Sequence, residues 1–303
     1  MKTTTWTGGA ADGDPANASN WSNGAPVSDD TVVFEFLATA GPSTNLAALA
    51  AINPAVLEIA QSYTGTIGTA TAAWQLGTPG VTRIGHHYGT GTPSGSGRIH
   101  LDLKARSGSI AAEVDVYNTA VSPTDADKPP CRLLIDEPDA IVRVRKGSVG
   151  IAVGAPGETS SVDEIHVTHS GGRSDAKVFV GEGVTYNKLV CAGGETVVEN
   201  APAGCEIVVD AGTLTVEADG DTIATYSIEA GATCYLNGGD VVDANFNGGT
   251  TDCLQSTRSR SIGAGGTVNW KPGAKLRMDP AYVTLAVANL SLAERMVLSA
   301  AKP

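Results

Sequence analysis

Between residues 192 and 236 the chain reads Ala192-Gly193 then Thr196-Val197-Val198, Ala211-Gly212 then Leu214-Thr215-Val216, and Ala230-Gly231 then Cys234-Tyr235-Leu236. A pair of small residues recurs every 19 positions, and a short apolar or β-branched run follows each pair. Gly171-Gly172, Gly248-Gly249 and Gly265-Gly266 extend the series with looser spacing, and Cys253-Leu254 and Val268-Asn269-Trp270 follow the last two. Glycine supplies tight corners and β-branched residues suit a pleated, half-buried surface. Self-similarity at about 20 residues is the signature of a stack in which each repeat is one coil and neighbours bury each other's apolar face. The expected fold is all-β: a right-handed parallel β-helix (solenoid) with an N-terminal cap and a C-terminal helical element.

Working outward, three regions separate. Residues 1–35 are rich in turn formers around Trp6 and Trp21, and they predict a Trp-anchored cap or attachment segment over the first coil. Residues 36–278 predict the β-helix, with projecting loops near 85–97 and 118–130 and a third near 154–161. Residues 279–303 predict a helical assembly element, since Asp279 suits an N-cap and Pro280 the first helical position. Within it, Val283, Leu285 and Val287 also alternate as in a strand, so residues 281–290 read either way, whereas the stretch from Ser291 reads as helix.

Composition bounds the function. The 303 residues include 37 Gly, 42% hydrophobic and 5% aromatic residues, which fits a core built from corners and small apolar side chains. A formal charge of -12 argues against the phosphate backbone of nucleic acid as a partner. The opening Met1-Lys2-Thr3-Thr4-Thr5-Trp6 lacks the apolar stretch of a secretory signal, and no apolar run reaches the ~20 residues of a membrane helix. Five cysteines, at 131, 191, 205, 234 and 253, include no CxxC pair and read as reduced, buried thiols. Cys234 and Cys253, 19 apart, are expected to stack in adjacent coils.

Candidate chemistry is sparse. Asp136-Glu137 with Arg143 and Arg145 is the best acidic-basic grouping, and it reads more simply as surface ion pairing. Asp125, Asp127, Asp163-Glu164 and Asp219-Gly220-Asp221 form no repeat-aligned set with a base. His86-His87 would point to opposite faces of a strand, and His166 and His169 have helical spacing in a β context, so neither pair predicts a metal site. Asp12-Gly13-Asp14 with Asn17 and Asn20 lacks the full spacing of a calcium loop. No catalytic residue, cofactor or metal is expected.

The opening Trp6-Thr7-Gly8 … Asp12-Gly13-Asp14 … Asn20-Trp21-Ser22-Asn23-Gly24-Ala25-Pro26 … Asp29-Asp30-Thr31-Val32 resembles the module that introduces the stack in β-solenoid proteins of phage virions and bacterial surfaces. The resemblance covers roughly residues 5–35, and Asp14-Pro15 stands where the module usually carries Asp-Trp. It implies a non-enzymatic virion protein: a trimeric capsid decoration (cement) protein or tail component on the capsid exterior, made in the host cytoplasm. Its partners would be the major capsid protein or another virion protein and further copies of itself, with no nucleic acid and no membrane. The residues expected at the attachment surfaces are Trp6, Trp21, Pro26, Val283, Leu290 and Val297. The alternatives are a carbohydrate-binding or polysaccharide-degrading β-helix tail protein and a bacterial surface adhesin.

Overall fold

The structure is a computed structural model, and it describes the chain except for residues 37, 39, 87–97, 107–110, 120–128, 168–175, 218–221, 257, 287–289 and 293–303. The protein is all-β: among the described residues the one helical segment is a 3-10 turn, Ala18–Asn20. A 23-stranded sheet contains nearly every strand.

Its pairings form two continuous parallel ladders. The first runs from Thr3–Thr5 through Thr31–Phe34, Val56–Ala60, Val81–His86, Glu113–Val116, Ile141–Val144 and Glu164–Val167. It continues through Lys188–Val198, Glu206–Val216, Ile223–Ile228, Val241–Phe246 and Val268–Trp270 to Leu290–Leu292. The second runs from Trp74–Gly77 through Ile99–Lys104, Cys131–Ile135, Gly147–Ile151 and Ala176–Val180. It takes in the far halves of Lys188–Val198 and Glu206–Val216, then Thr233–Leu236, Thr250–Cys253 and Lys275–Met278. From Trp74 onward the chain visits the two ladders in strict alternation. Two short parallel pairs lie between visits: Ser160–Ser161 with Val184–Thr185, and Arg260–Ile262 with Val283–Leu285.

The 19-residue spacing becomes a register. Lys188 faces Glu206 at 18 positions, Glu206 faces Thr225 at 19, Thr213 faces Thr233 at 20 and Thr233 faces Thr250 at 17. This corrects the expected cysteine stack: Cys234 faces Thr251, and Cys253 lies two residues further along that strand. All five cysteines are free and buried. Elsewhere the step lengthens, as between Ile99 and Cys131 at 32 positions. The expected loops near 85–97 and 118–130 fall mostly on 87–97 and 120–128, outside the described residues.

The corners explain the glycine series. Gly194 and Gly212 bend the two long strands from one ladder to the other with φ of +69° and +77°. A Cβ on Gly212 would lie 2.5 Å from the Gly194 carbonyl oxygen, and one on Gly194 would lie 2.3 Å from that of Ala176. Left-handed backbone and close stacking together leave room for no side chain there.

Alternation along each strand then builds the core. Leu57, Thr82, Val114, Val142, Ile165, Leu189, Ile207, Tyr226, Ala244 and Val268 occupy one register line and are fully buried. Each large aliphatic side chain among them contributes about 1.5–3 kcal/mol relative to exposure. At the N-terminal end Phe34 is the hub of an aromatic cluster, with ring centroids 6.0 Å from Trp6, 5.8 Å from Trp21 and 5.5 Å from both Tyr63 and Trp74. The indole N–H groups of Trp6 and Trp21 donate to the carbonyls of Ala40 and Pro15.

The C-terminal region corrects the helical expectation. Asp279 and Pro280 open a single turn, in which the Asp279 carbonyl accepts from the N–H groups of Tyr282 and Val283 and its carboxylate from that of Ala281. The chain then extends as Val283–Leu285 and Leu290–Leu292, with Ser291 opposite Asn269. The Val283/Leu285 alternation prevails because both side chains find buried positions beside Arg260–Ile262. The remainder of the predicted helix, 293–303, lies outside the described residues.

Candidate functional site

The residues expected at attachment surfaces are mostly interior. Trp6 and Trp21 are 1% and 4% exposed, and Pro26 and Val283 are also buried. Leu290 begins the last described strand, and Val297 lies outside the described residues. The two tryptophans close the end of the stack. A partner at that end would instead meet Met1 and Val27, which are exposed.

The outward side of the first ladder is a chain of cross-strand polar pairs. Arg83 meets Glu58 at 2.7 Å, Arg143 meets Glu113 at 3.3 Å and Asp115 at 3.7 Å, and Lys188 meets Glu206 at 3.1 Å. Further along, Asn245 donates to Ser227 and Asn269 donates to Asn245. Of the grouping of Asp136-Glu137 with Arg143 and Arg145, Arg143 meets the carboxylates of the neighbouring strand and Arg145 lies over the Tyr117 ring at 4.7 Å. His86 packs edge-on against Tyr117, and His166 contacts Glu164 at 2.5 Å. Their partners His87 and His169, together with Asp125, Asp127, Asp219 and Asp221, lie outside the described residues. Asp163 accepts from Asn187. Asp12 uses its carboxylate to accept from Asn17, Asn20 and the Asp14 N–H, which organises the terminal loop and holds its pKa below the usual value.

The second ladder has two distinct outward regions. Over its C-terminal half, Phe179, Val197, Thr215 and Tyr235 stand in direct register on successive strands. Phe179 and Val197 are half-buried and Tyr235 is 40% exposed. The Lys177–Glu195 pair, at 3.0 Å, borders this apolar stripe.

Over the N-terminal half lies an open cleft of about 460 Å³, lined by Gln75, His100, Asp102, Leu134 and Glu158 and walled by residues 46–47 and 71–73. Register assembles it: Gln75 faces Asp102, Asp102 faces Leu134, and His100 faces Arg132. The Arg132 guanidinium donates to the Ala70 carbonyl at 3.0 Å and approaches His100 Nδ1 and Nε2 at 2.7 and 3.1 Å. His100 Nδ1 lies 3.1 Å from the Thr69 carbonyl. The guanidinium can only donate, so the ring nitrogen that accepts from it carries no proton and His100 is neutral. Burial, and then the charge of Arg132, push the His100 pKa down in agreement with that state. Asp102 is held by Lys104 at 2.6 Å. Burial pushes the Glu158 carboxyl above the usual carboxylate range; Arg132 opposes the shift and Asp102 adds to it. Glu158 Oε2 is buried without a hydrogen-bond partner among the described residues.

Arg98-Ile99-His100-Leu101-Asp102-Leu103 alternates polar and apolar, which puts His100 and Asp102 on one strand face, but nothing in the sequence connects them to Arg132 or Glu158. The missing signal is the 32-position register, which no local motif reveals. No protein-family model, curated protein or solved structure matches the chain.

Proposed function

We propose that this chain is a right-handed parallel β-helix and a non-enzymatic structural protein of a phage virion: a trimer that decorates the capsid exterior and binds the major capsid protein or another virion protein. One observation carries the reading: residues of one kind stack in register over most of the chain, apolar inward and pair-forming polar outward. Such a quasi-one-dimensional stack gives a rigid rod whose stability sums over neighbouring repeats. That property serves a scaffold directly. The sealed aromatic end and the buried thiols support the same role, because both suit a particle that must persist rather than turn over. A net charge of -12 disfavours nucleic acid as the partner. In the trimer, the Phe179–Val197–Thr215–Tyr235 stripe is the face that a second copy covers.

Two measurements test the proposal. Light scattering of the purified protein should give a mass near three chains. Quantitative mass spectrometry of purified virions should find the chain at a copy number comparable with that of the capsid protein. A one-chain mass removes the trimer. A few copies per virion replaces decoration with a tail role, and absence from virions overturns the reading.

A further inference from the structure

The cleft on the second ladder is not explained by scaffolding. Glu158 Oε2 lacks a hydrogen-bond partner among the described residues, as Asp115 Oδ1 does on the first ladder, but Glu158 also lines an open cleft, beside a buried His100 whose ring lies against the Thr69 carbonyl. We propose that this cleft binds a neutral, hydroxyl-rich ligand, the saccharide portion of a glycan.

The charge pattern selects the ligand class. An anion would meet the carboxylates of Asp102 and Glu158, which share the cleft wall. A cation gains little, because Lys104, fixed on Asp102, and Arg132, fixed beside His100 and acting on Glu158, offset the two carboxylates from outside the cleft. Hydroxyl groups suit such a lining, since each can donate to a carboxylate and accept from the Gln75 amide. Adjacent hydroxyls on a sugar ring can engage both oxygens of one carboxylate, a charge-assisted pairing stronger than a neutral one. Leu134 and the alanines at 47, 72 and 73 offer an apolar wall to the C–H face of the ring.

The volume, about 460 Å³, falls within the range usual for small-ligand sites, roughly 300–1,000 Å³. Preorganisation favours binding as well. Gln75, His100, Asp102 and Leu134 stand on three consecutive strands of the ladder, so little side-chain or backbone ordering remains when the ligand arrives. This site does not depend on the assembly reading: a decoration trimer and a free chain carry the same cleft, and the binding measurement below does not report on assembly.

The experiment uses the full chain with a panel of neutral oligosaccharides (maltoheptaose, cellopentaose, xylohexaose, chitotetraose and mannopentaose) and with an oligogalacturonate as the acidic comparison. Binding is read by calorimetry and by saturation-transfer NMR. At least one neutral oligosaccharide should bind. Asp102→Asn and Glu158→Gln should each weaken it about 10- to 100-fold, the effect of removing a charged hydrogen-bonding partner. Gln75→Ala leaves every cleft charge in place and should weaken binding as well, which guards against a carboxylate variant that fails to fold. Glu217→Gln, at an exposed position outside the cleft, should leave affinity and melting temperature unchanged. The proposal is overturned if no neutral member binds at millimolar concentration, if the folded cleft variants bind like the parent, or if the oligogalacturonate binds as tightly as the best neutral sugar.

Discussion

Gly212→Ala tests the stacked corners. At Gly212 φ is +77°, a conformation that costs an L-residue roughly 1–2 kcal/mol. The added Cβ would also sit 2.5 Å from the Gly194 carbonyl oxygen, 2.7 Å from the Gly193 carbonyl carbon and 2.9 Å from the Gly194 nitrogen. All three atoms are backbone of the preceding turn and not the end of a flexible side chain, so relief requires the two strands to move apart. Overpacking of that kind adds about 1–3 kcal/mol. The expected loss is therefore about 2–5 kcal/mol. Gly231→Ala is the matched control. Its φ is +90°, yet nothing lies within 4 Å of the new Cβ. It should lose only the backbone contribution; the ~0.4–1 kcal/mol recovered by restricting the unfolded chain applies to both variants and cancels between them. Urea unfolding followed by far-UV circular dichroism, with a common m-value, measures both. Equal losses for the two variants would show that the corners do not stack as described.

Other predictions follow from the core and the surface. Phe34→Ala removes the hub of the aromatic cluster and should cost about 3–5 kcal/mol, with a red shift of tryptophan emission; unchanged emission would refute the cluster's role. Burial pushes Cys131, Cys205 and Cys234 up to about 12 and Cys253 to about 11, from an ordinary 9.0. Above pH 9 the unfolded chain has shed thiol protons that the folded chain retains, so stability should fall as pH rises toward 11, by about 1.4 kcal/mol per thiol per pH unit; a flat profile from pH 8 to 10.5 would contradict it. Lys188→Ala should change stability by less than about 1 kcal/mol, measured by the same urea titration, because its pair with Glu206 is partly exposed. Phe179→Glu should shift the solution mass from three chains to one, and a mass that stays at three moves the contact elsewhere.

What could be read from the sequence was the local chemistry that repeats. Ala211-Gly212 signalled a corner because only glycine tolerates both the left-handed φ and the stacked backbone there. The two tryptophans signalled a closed end because so polar a segment has little else to bury. The failures share one cause, since a residue's partner lies a whole turn of the chain away. Asp279-Pro280 suits a helix start and a turn equally well, and the decision fell to the strand Arg260–Ile262, about 20 positions earlier, which had an edge to offer. Cys234 and Cys253 matched the average period, but the local step is 17, and two residues suffice to change the partner. The cleft was hidden most completely, because inserted segments stretch the step to 32 positions where His100 meets Arg132.

The two ladders therefore do different work with the same backbone. The first turns outward a series of cross-strand ion pairs and amide bonds. The second carries ion pairs too, Lys177–Glu195 and Arg277–Asp252, and adds two further regions: the cleft near Gln75, His100 and Glu158, and the apolar stripe along Phe179, Val197 and Tyr235. A single strand, Gly147–Ile151, stands between these regions, with Gly150 facing Arg132 on one side and Phe179 on the other; that is about 10 Å at the usual strand spacing, where substitutions without a shared partner act nearly independently. Covering the apolar stripe with a second copy would leave the polar cleft free, and a rod of this kind could hold its place by one end of a face while presenting the other. Phe179→Glu should accordingly dissociate the assembly without altering saccharide affinity, and Glu158→Gln should lower that affinity without altering the mass. Cross-effects between the two variants would mean that the regions are coupled and that the division of labour along the second ladder is wrong.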